Sequence, residues 1–235
     1  MKLSIIIPVL NEEANLEILL PLLFGNSSPL NIAEIIVVDG GSQDNTKEVA
    51  LQNGTKVVSS AKGRAKQMNT GVRYATGDIL YFLHADSTPP KNFDQFIIDE
   101  VQKGNLAGCF QMKFNHNHWW LRLASWLTKF SWRACRGGDQ SQFITKLLFE
   151  EIGGYDESYT IYEDNILINE LYRRKQFVVI PHWITTSARR YEEAGIWRLQ
   201  YHFWTIYVKK WFGASADEIY EYYLNNIRPL QKHNN

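Results

Sequence analysis

The chain has 235 residues, 45% of them hydrophobic, enough for one sizeable domain or two small ones. Twenty-five basic residues balance 25 acidic ones, so no global field draws the protein to nucleic acid. Cys109 and Cys135 make neither a metal-ligand spacing nor a disulfide framework, and no window reaches the roughly 18 apolar residues of a spanning helix. Those features predict a cytoplasmic protein and leave open a peripheral position at the inner membrane surface.

The first half alternates strand and helix patterns. Leu3 to Val9 is a continuous apolar run, followed by a helical stretch from Glu13 to Phe24. Glu34 to Val38 reads as a second buried strand, the polar stretch Asp44 to Asn53 as a helix, and Lys56 to Ser59 as a short strand. Arg64 to Ala75 is helical, and Ile79 to Leu83 is a strand buried on both faces, stopped by Ser87 to Pro90. This order predicts an α/β fold, a Rossmann-like half with a parallel sheet. The second half continues with a strand over Leu106 to Phe114 and a tryptophan-rich segment from His118 to Cys135 at loosely helical spacing. A polar loop from Arg136 to Gln140 leads to a short strand, Ser141 to Ile144, and a short helix, Thr145 to Ile152. A helix over Ile166 to Arg174, a strand over Phe177 to Ile180 and the C-terminal helices complete the chain.

Each strand of the first half ends in polar residues: Pro8, Asn11 and Glu12; then Asp39 with two glycines; then His84 and Asp86. Parallel order puts these ends at one rim, where open α/β sheets bind ligands. If the chain stays extended there, His84 and Asp86 share a face. Asp86 then suits a divalent metal on a phosphorylated ligand, or else caps the turn toward Asn92. Arg64 and Lys66 lie in the first turn of a helix, where the macrodipole disfavours cations. They either reach for an anion such as a diphosphate or form a solvated basic face. The loops of the common NAD and ATP sites are absent.

Taken together, Pro8-Val-Leu-Asn11-Glu12, Val37-Val38-Asp39-Gly40-Gly41-Ser42, Gly77-Asp78, Asp86, Gly153-Gly154-Tyr155-Asp156 and Glu163-Asp164 resemble glycosyltransferase family 2 on the GT-A fold. The likeness runs from about residue 3 to 192, and further segments are similar to a compact bacterial subgroup of that family. It implies a mainly parallel central sheet flanked by helices. A glycosyltransferase domain would cover 1–192, with a nucleotide-sugar half (1–105) and an acceptor half (106–192), and a helical extension would pack on it over 193–235. The implied reaction moves a sugar from a UDP- or GDP-sugar to a hydroxyl acceptor, with a lipid or lipid-linked one among the candidates, and inverts the anomeric carbon. A non-catalytic sugar-nucleotide-binding module is the alternative.

The resemblance also implies roles. Asp164 would be the general base, where spacing alone allows an ordinary helix cap. Pro8, Asn11, Glu12, Asp39, Arg64, Lys66 and Asp86 would hold the nucleotide sugar. Gly138, Asp139, Gln140, Glu163, Arg189, Arg190 and Tyr191 would line the acceptor pocket or close over the diphosphate. The broader family's metal motif is usually Asp-x-Asp, and here His84 replaces the first acid. Mg2+ or Mn2+ would therefore rest on Asp86, with His84 as a ligand or a packing neighbour. In the C-terminal tail Trp197, Trp204 and Trp211 recur every seven residues as a helical stripe. Packing against the core or a partner subunit, as in a homo-oligomer, is the expectation, and contact with a membrane surface is the alternative.

Overall fold

The computed structural model describes residues 1–137 and 140–228. Its elements in order are β1 (Leu3–Val9), α1 (Glu13–Asn26), β2 (Ile32–Asp39), α2 (Thr46–Gln52), β3 (Lys56–Ser59), α3 (Arg64–Arg73), β4 (Ile79–Phe82) and β5 (Ser87–Thr88). Then follow α4 (Phe93–Gln102), β6 (Ala107–Phe114), α5 (Trp119–Leu127), a 3₁₀ turn (Arg133–Cys135), β7 (Gln142–Thr145), α6 (Lys146–Ile152) and α7 (Glu163–Arg173). The chain continues through β8 (Val178–Thr186), α8 (Arg189–Ala194), α9 (Ile196–Trp211) and α10 (Ala216–Asn226).

The described strands form one sheet in the order β3-β2-β1-β4-β7-β6-β8-β5. The β3-β2-β1-β4 block is parallel; β7 runs antiparallel to both β4 and β6. Period-two alternation splits β1 between two layers. Ile5 and Ile7 face Leu16, Leu20 and Phe93 from α1 and α4. Ile6 faces Met68 and Val72 of α3 and shares that layer with Leu167 and Leu171 of α7. A third core, from Leu121, Tyr191, Leu199, Ile206 and Ile219, joins α5, α8, α9 and α10.

Two departures from the sequence reading have local causes. β8 runs to Thr186 rather than ending at Ile180, because its register against β6 jumps from Ile180 to Trp183. Pro181 falls in that irregularity, where a missing N–H is tolerated. The segment that stops β4 also holds β5, whose two residues pair with Thr185 and Thr186. A strand that short carries no periodicity to read.

One rim of the sheet is opened by a proline. In a parallel ladder, successive residues of a strand bond alternately to its two neighbours. The Ile6 carbonyl turns to β4 and accepts the Leu83 N–H at 3.0 Å, while the Val9 carbonyl turns to β2 and accepts Gly40 N–H at 2.9 Å. Pro8 is the next residue on the β4 side and has no N–H to donate, so β1 and β4 part there. Strand order also reverses at β1, which makes this crevice the topological switch point.

Helix α3 is fixed beside the crevice by two contacts. A Cβ on Gly71 would lie 2.5 Å from Ile6 Cγ2 and 3.0 Å from Val38 Cγ2, so only glycine permits this approach. The buried Gln67 amide donates to the Val9 and Val38 carbonyls, both at 2.8 Å, stitching the ends of β1 and β2. Replacing Gln67 by Leu removes both bonds and leaves buried acceptors short of a partner, an expected loss of about 1–3 kcal/mol. Calorimetry of Q67L should show the melting midpoint lowered by roughly 2–10 °C; an unchanged midpoint would show that the stitch carries no stability.

Candidate active site

The rim is built from loops that hold one another. Asn11, at a left-handed φ of 56°, donates its N–H to Ser42 Oγ (2.9 Å) and accepts the Gln43 N–H on Oδ1 (2.8 Å). The Glu12 N–H bonds Thr46 Oγ1 at 2.9 Å, and Asn45 N–H and Nδ2 both bond Glu13. Asn11 thus fastens the β1 loop to the β2 loop. Asp39 is buried at the end of β2. Its carboxylate accepts the Gly41 and Ser42 N–H groups at 3.1 and 3.0 Å and meets Lys47 Nζ at 3.2 Å. Gly41 adopts φ 99°, which lets the turn fold back on the acid. Burial pushes the Asp39 carboxyl up, but the hydrogen bonds from Ser42, Lys47 and Gly41 outweigh it and hold it below the usual carboxylate range.

Across the crevice three charges act on Glu12. Burial raises the Glu12 carboxyl; the Asn15 hydrogen bond and the Arg189 and Arg64 cations oppose this, and Asp86 adds to it. Glu12 remains above its ordinary value. Arg189 Nη2 lies 4.0 Å from Glu12 Oε1, and a groove of about 300 Å³ runs between Asn11, Glu12, Asp44 and Arg189. Lys66 is exposed on the same first turn of α3 as Arg64.

The extended geometry expected for His84 and Asp86 does not occur. β4 ends at Phe82, and the Ser87 N–H bonds the His84 carbonyl at 3.1 Å, so the two residues occupy a turn. Both remain partly exposed. Among the described residues no group of three or more His, Cys, Asp or Glu side chains gathers to hold a metal ion. One carboxylate and one nearby imidazole still fit Mg2+ or Mn2+ carried on a diphosphate, because such ions keep waters and need only one or two protein carboxylates. Imidazole suits Mn2+ in particular.

The far wall comes from α7. Its N-cap is Tyr162, at φ 74°, and no side chain caps it, so Asp164 lies inside the first turn and is not an N-cap. Glu163 and Asp164 are both buried and act on Tyr155, whose phenol is raised well above its usual range by burial first and then by the two carboxylates. The Tyr155 ring lies 5.0 Å from Phe82, the last residue of β4. Asn69 of α3 accepts the Tyr155 N–H (3.0 Å) and donates to its carbonyl (2.9 Å). Arg133 holds the same helix from outside, bonding Asn165 Oδ1 at 3.0 Å.

Several expected site residues make contacts within the fold. Gln140 turns its amide inward: Oε1 accepts from Arg136 Nη1 at 3.1 Å and Nε2 donates to the Cys135 carbonyl at 3.2 Å. Arg190, partly exposed, lies over the Phe203 ring at 5.6 Å. Tyr191 is buried between Phe114 and Phe203, with its hydroxyl 3.5 Å from Gln200 Oε1. Both residues are tied to the third core because α8 packs on α9. Gly138 and Asp139 lie outside the described residues. Gln67, Asn69, Lys47 and Arg133 went unassigned from sequence, since a polar residue on a helix or loop reads as solvated until its partner is known. A basic run without acids around Arg133 and Arg136 was the one available signal.

The chain is similar to glycosyltransferase AglE of Haloferax volcanii, at 38% identity over 93 residues that cover 37% of this chain and 31% of AglE. The matched stretches span less than two thirds of the curated relatives' lengths. Among solved structures it superposes on S. aureus TarS (residues 1-349) in complex with UDP-GlcNAc, with a TM-score of 0.63, 17% identity, and coverage of 80% of this chain and 61% of that one. It also superposes on glucosyl-3-phosphoglycerate synthase of Mycobacterium tuberculosis in complex with Mn2+ and UDP-Glc, with a TM-score of 0.56, 19% identity, and coverage of 77% and 69%. Likeness at these identities establishes the fold, a GT-A sheet with its flanking helices. The family described as Glycosyl transferase family 2 matches residues 4–177, well over half of the chain, and the protein belongs to that family.

Proposed function

We propose that the protein transfers a glycosyl group from a UDP-sugar to an acceptor hydroxyl, inverting the anomeric carbon. The observation that carries this reading is the position of Glu12 at the parting of β1 and β4, with Arg189 Nη2 4.0 Å from its carboxylate and Asp86 and Arg64 near enough to act on it. Opposite charges held there in a partly buried crevice suit a ligand that brings both phosphates and hydroxyls. UDP is favoured over GDP because the two structural relatives above were solved with UDP-sugars.

In this reading Asp39, fixed by its own turn and Lys47, accepts from the nucleoside, and Glu12 stands beside it. Arg64, Arg189 and the exposed Lys66 balance the charge gathering on the departing diphosphate, a pre-placed electrostatic contribution. Asp86, with His84 near it, would hold Mg2+ or Mn2+ with the donor phosphates, and the cation would supply further neutralisation of the leaving group. The acceptor oxygen attacks the anomeric carbon opposite the leaving diphosphate. The C–O bond to the diphosphate breaks as the new one forms, and the hydroxyl proton passes to an Asp164 carboxylate oxygen. Burial of Glu163 and Asp164 beside Tyr155 keeps that wall poorly hydrated.

Three measurements test the assignments. Asp164→Asn should lower turnover by about 10²–10⁴-fold while UDP still raises the melting temperature; turnover within a few fold of the parent would remove Asp164 as the base. UDP with Mn2+ at a hundredfold excess over Kd should raise the melting midpoint by roughly 5–10 °C. In Asp86→Asn the part of that rise due to Mn2+ should vanish, and its persistence would place the cation elsewhere. Glu12→Gln tests a carboxylate held against its own burial. A folded pKa raised above the unfolded one means the native state binds more protons, so stability falls as pH rises from the ordinary carboxylate range through the raised value. Glu12→Gln should lose that slope and melt at or above the parent temperature at neutral pH, with weaker donor binding. A clear drop in its melting temperature would show that the charge stabilises the fold.

A further inference from the structure

We propose that the outer face of α5 and α9 docks on the surface of an anionic lipid bilayer. On α9 the residues Trp197, Tyr201, Trp204, Val208 and Trp211 follow spacings of four and three, and every one of them is exposed. At 3.6 residues per turn they fall within an arc of about 80°. The opposite face of the helix, with Leu199 and Ile206, is the one buried in the third core. On α5 the exposed Trp119, Leu123 and Trp126 make the same kind of stripe, while Leu121 and Ser125 face inward. The two stripes join, because the Trp119 and Trp197 rings lie 5.6 Å apart and Trp120 packs on both Trp197 (5.3 Å) and Trp204 (5.6 Å). Trp211 and Phe212 extend the surface, each 84% exposed.

The packing expected for the C-terminal stripe therefore holds for only one edge of Trp197 and Trp204, and most of the stripe stays uncovered. A continuous aromatic surface of this size on a folded chain marks an interaction site. Its composition selects the partner. Tryptophan and tyrosine, with an apolar body and a polar edge, are the residues of membrane–water interfaces. A groove of about 560 Å³ opens on the same face and is lined by Trp119, Trp126 and Trp183 together with Lys113, Arg122 and Lys129.

Charge gives the second argument. The whole chain is neutral, yet no Asp or Glu occurs between Glu100 and Asp139 or between Glu193 and Asp217, the two stretches that carry this face. Arg122, Lys129 and Arg198 lie within them and are exposed, whereas Lys209 lies over the Tyr222 ring of α10 and acts on Glu218. A second copy packed face to face would bring these cations against themselves, whereas an anionic headgroup layer complements them. The contact would be peripheral, since no described helix is long and apolar enough to cross a membrane. The inner side of α9 also meets the loop before α7, with Tyr207 and Tyr162 rings 5.4 Å apart and Lys210 Nζ donating to the Tyr159 hydroxyl at 2.5 Å.

The test is co-sedimentation of the full chain with phosphatidylcholine vesicles, with and without phosphatidylglycerol. Binding should require phosphatidylglycerol, weaken with added salt and shift tryptophan emission to the blue. The double variant Trp211→Ala/Phe212→Ala, whose side chains support no core, should keep the parental melting curve and lose about tenfold in partitioning. Arg122→Glu/Arg198→Glu, both at exposed positions, should lose binding to the anionic vesicles specifically. Absence of binding to phosphatidylglycerol vesicles, or equal binding by the tryptophan variant, would overturn the proposal. So would a concentration-dependent dimer that the tryptophan variant abolishes without any vesicle binding, which assigns the face to a second copy. Vesicle binding needs neither donor nor turnover, so its failure leaves the transferase reading untouched.

Discussion

Two main-chain carbonyls at the open end of the sheet, those of Val9 and Val38, converge on a single buried amide, and the rest of the site depends on that junction. Gln67 can take both only because its nitrogen carries two hydrogens and because Gly71, one helical turn on, lets α3 settle against Ile6 and Val38. The result is a helix whose first turn, with Arg64 and Lys66, stands at the mouth where Pro8 forces β1 away from β4. A cation on that first turn is disfavoured by the helix dipole in isolation. Here the acids on the opposite lip, Glu12 and Asp86, offset the dipole, and a bound anion would compensate it further. The crevice and its charges are thus consequences of one missing N–H and one well-placed amide.

The same helix carries order across the site. Asn69, two residues beyond Gln67, holds both main-chain polar groups of Tyr155, and Tyr155 packs on Phe82 while standing beside Glu163 and Asp164. The strand-end rim and the acidic wall are therefore attached to one rigid element rather than to independent loops. The third core adds a different constraint. By packing α8 on α9 it draws Tyr191 and Arg190 inward and leaves Arg189 to face Glu12. The outward face of α9 is what remains after that packing is satisfied, and its tryptophans have no core left to join.

What the sequence revealed follows from the range of the interactions involved. The strands of the first half declare themselves as unbroken apolar runs because both faces are buried, and their polar ends mark the rim without any knowledge of packing. β3 needs no revision at either boundary. β8 was cut short because Pro181 reads as a terminator unless the register jump against β6 is known. His84 and Asp86 looked like a strand pair, but the Ser87 N–H closes a turn one residue after the apolar run ends. Arg190 and Tyr191 resemble phosphate ligands in sequence, and their contacts with the Phe203 ring come from the docking of α8 on α9. Gln67 was invisible for the opposite reason, since a glutamine in the first turn of a polar helix looks solvated. The His84–Ser87 turn is local, whereas long-range partners decide the others, and local pattern carries no trace of those.

The central claim is that a diphosphate enters where Pro8 parts β1 from β4. A crystal structure of the protein soaked with UDP and Mn2+ tests this most directly. The diphosphate should lie in that crevice, with the Arg64 and Arg189 guanidinium groups within hydrogen-bond distance of its oxygens and the cation on an Asp86 carboxylate oxygen. Density for UDP in the tryptophan-lined groove of α5, or at the crevice with Arg64 and Asp86 both turned away from the phosphates, would contradict it.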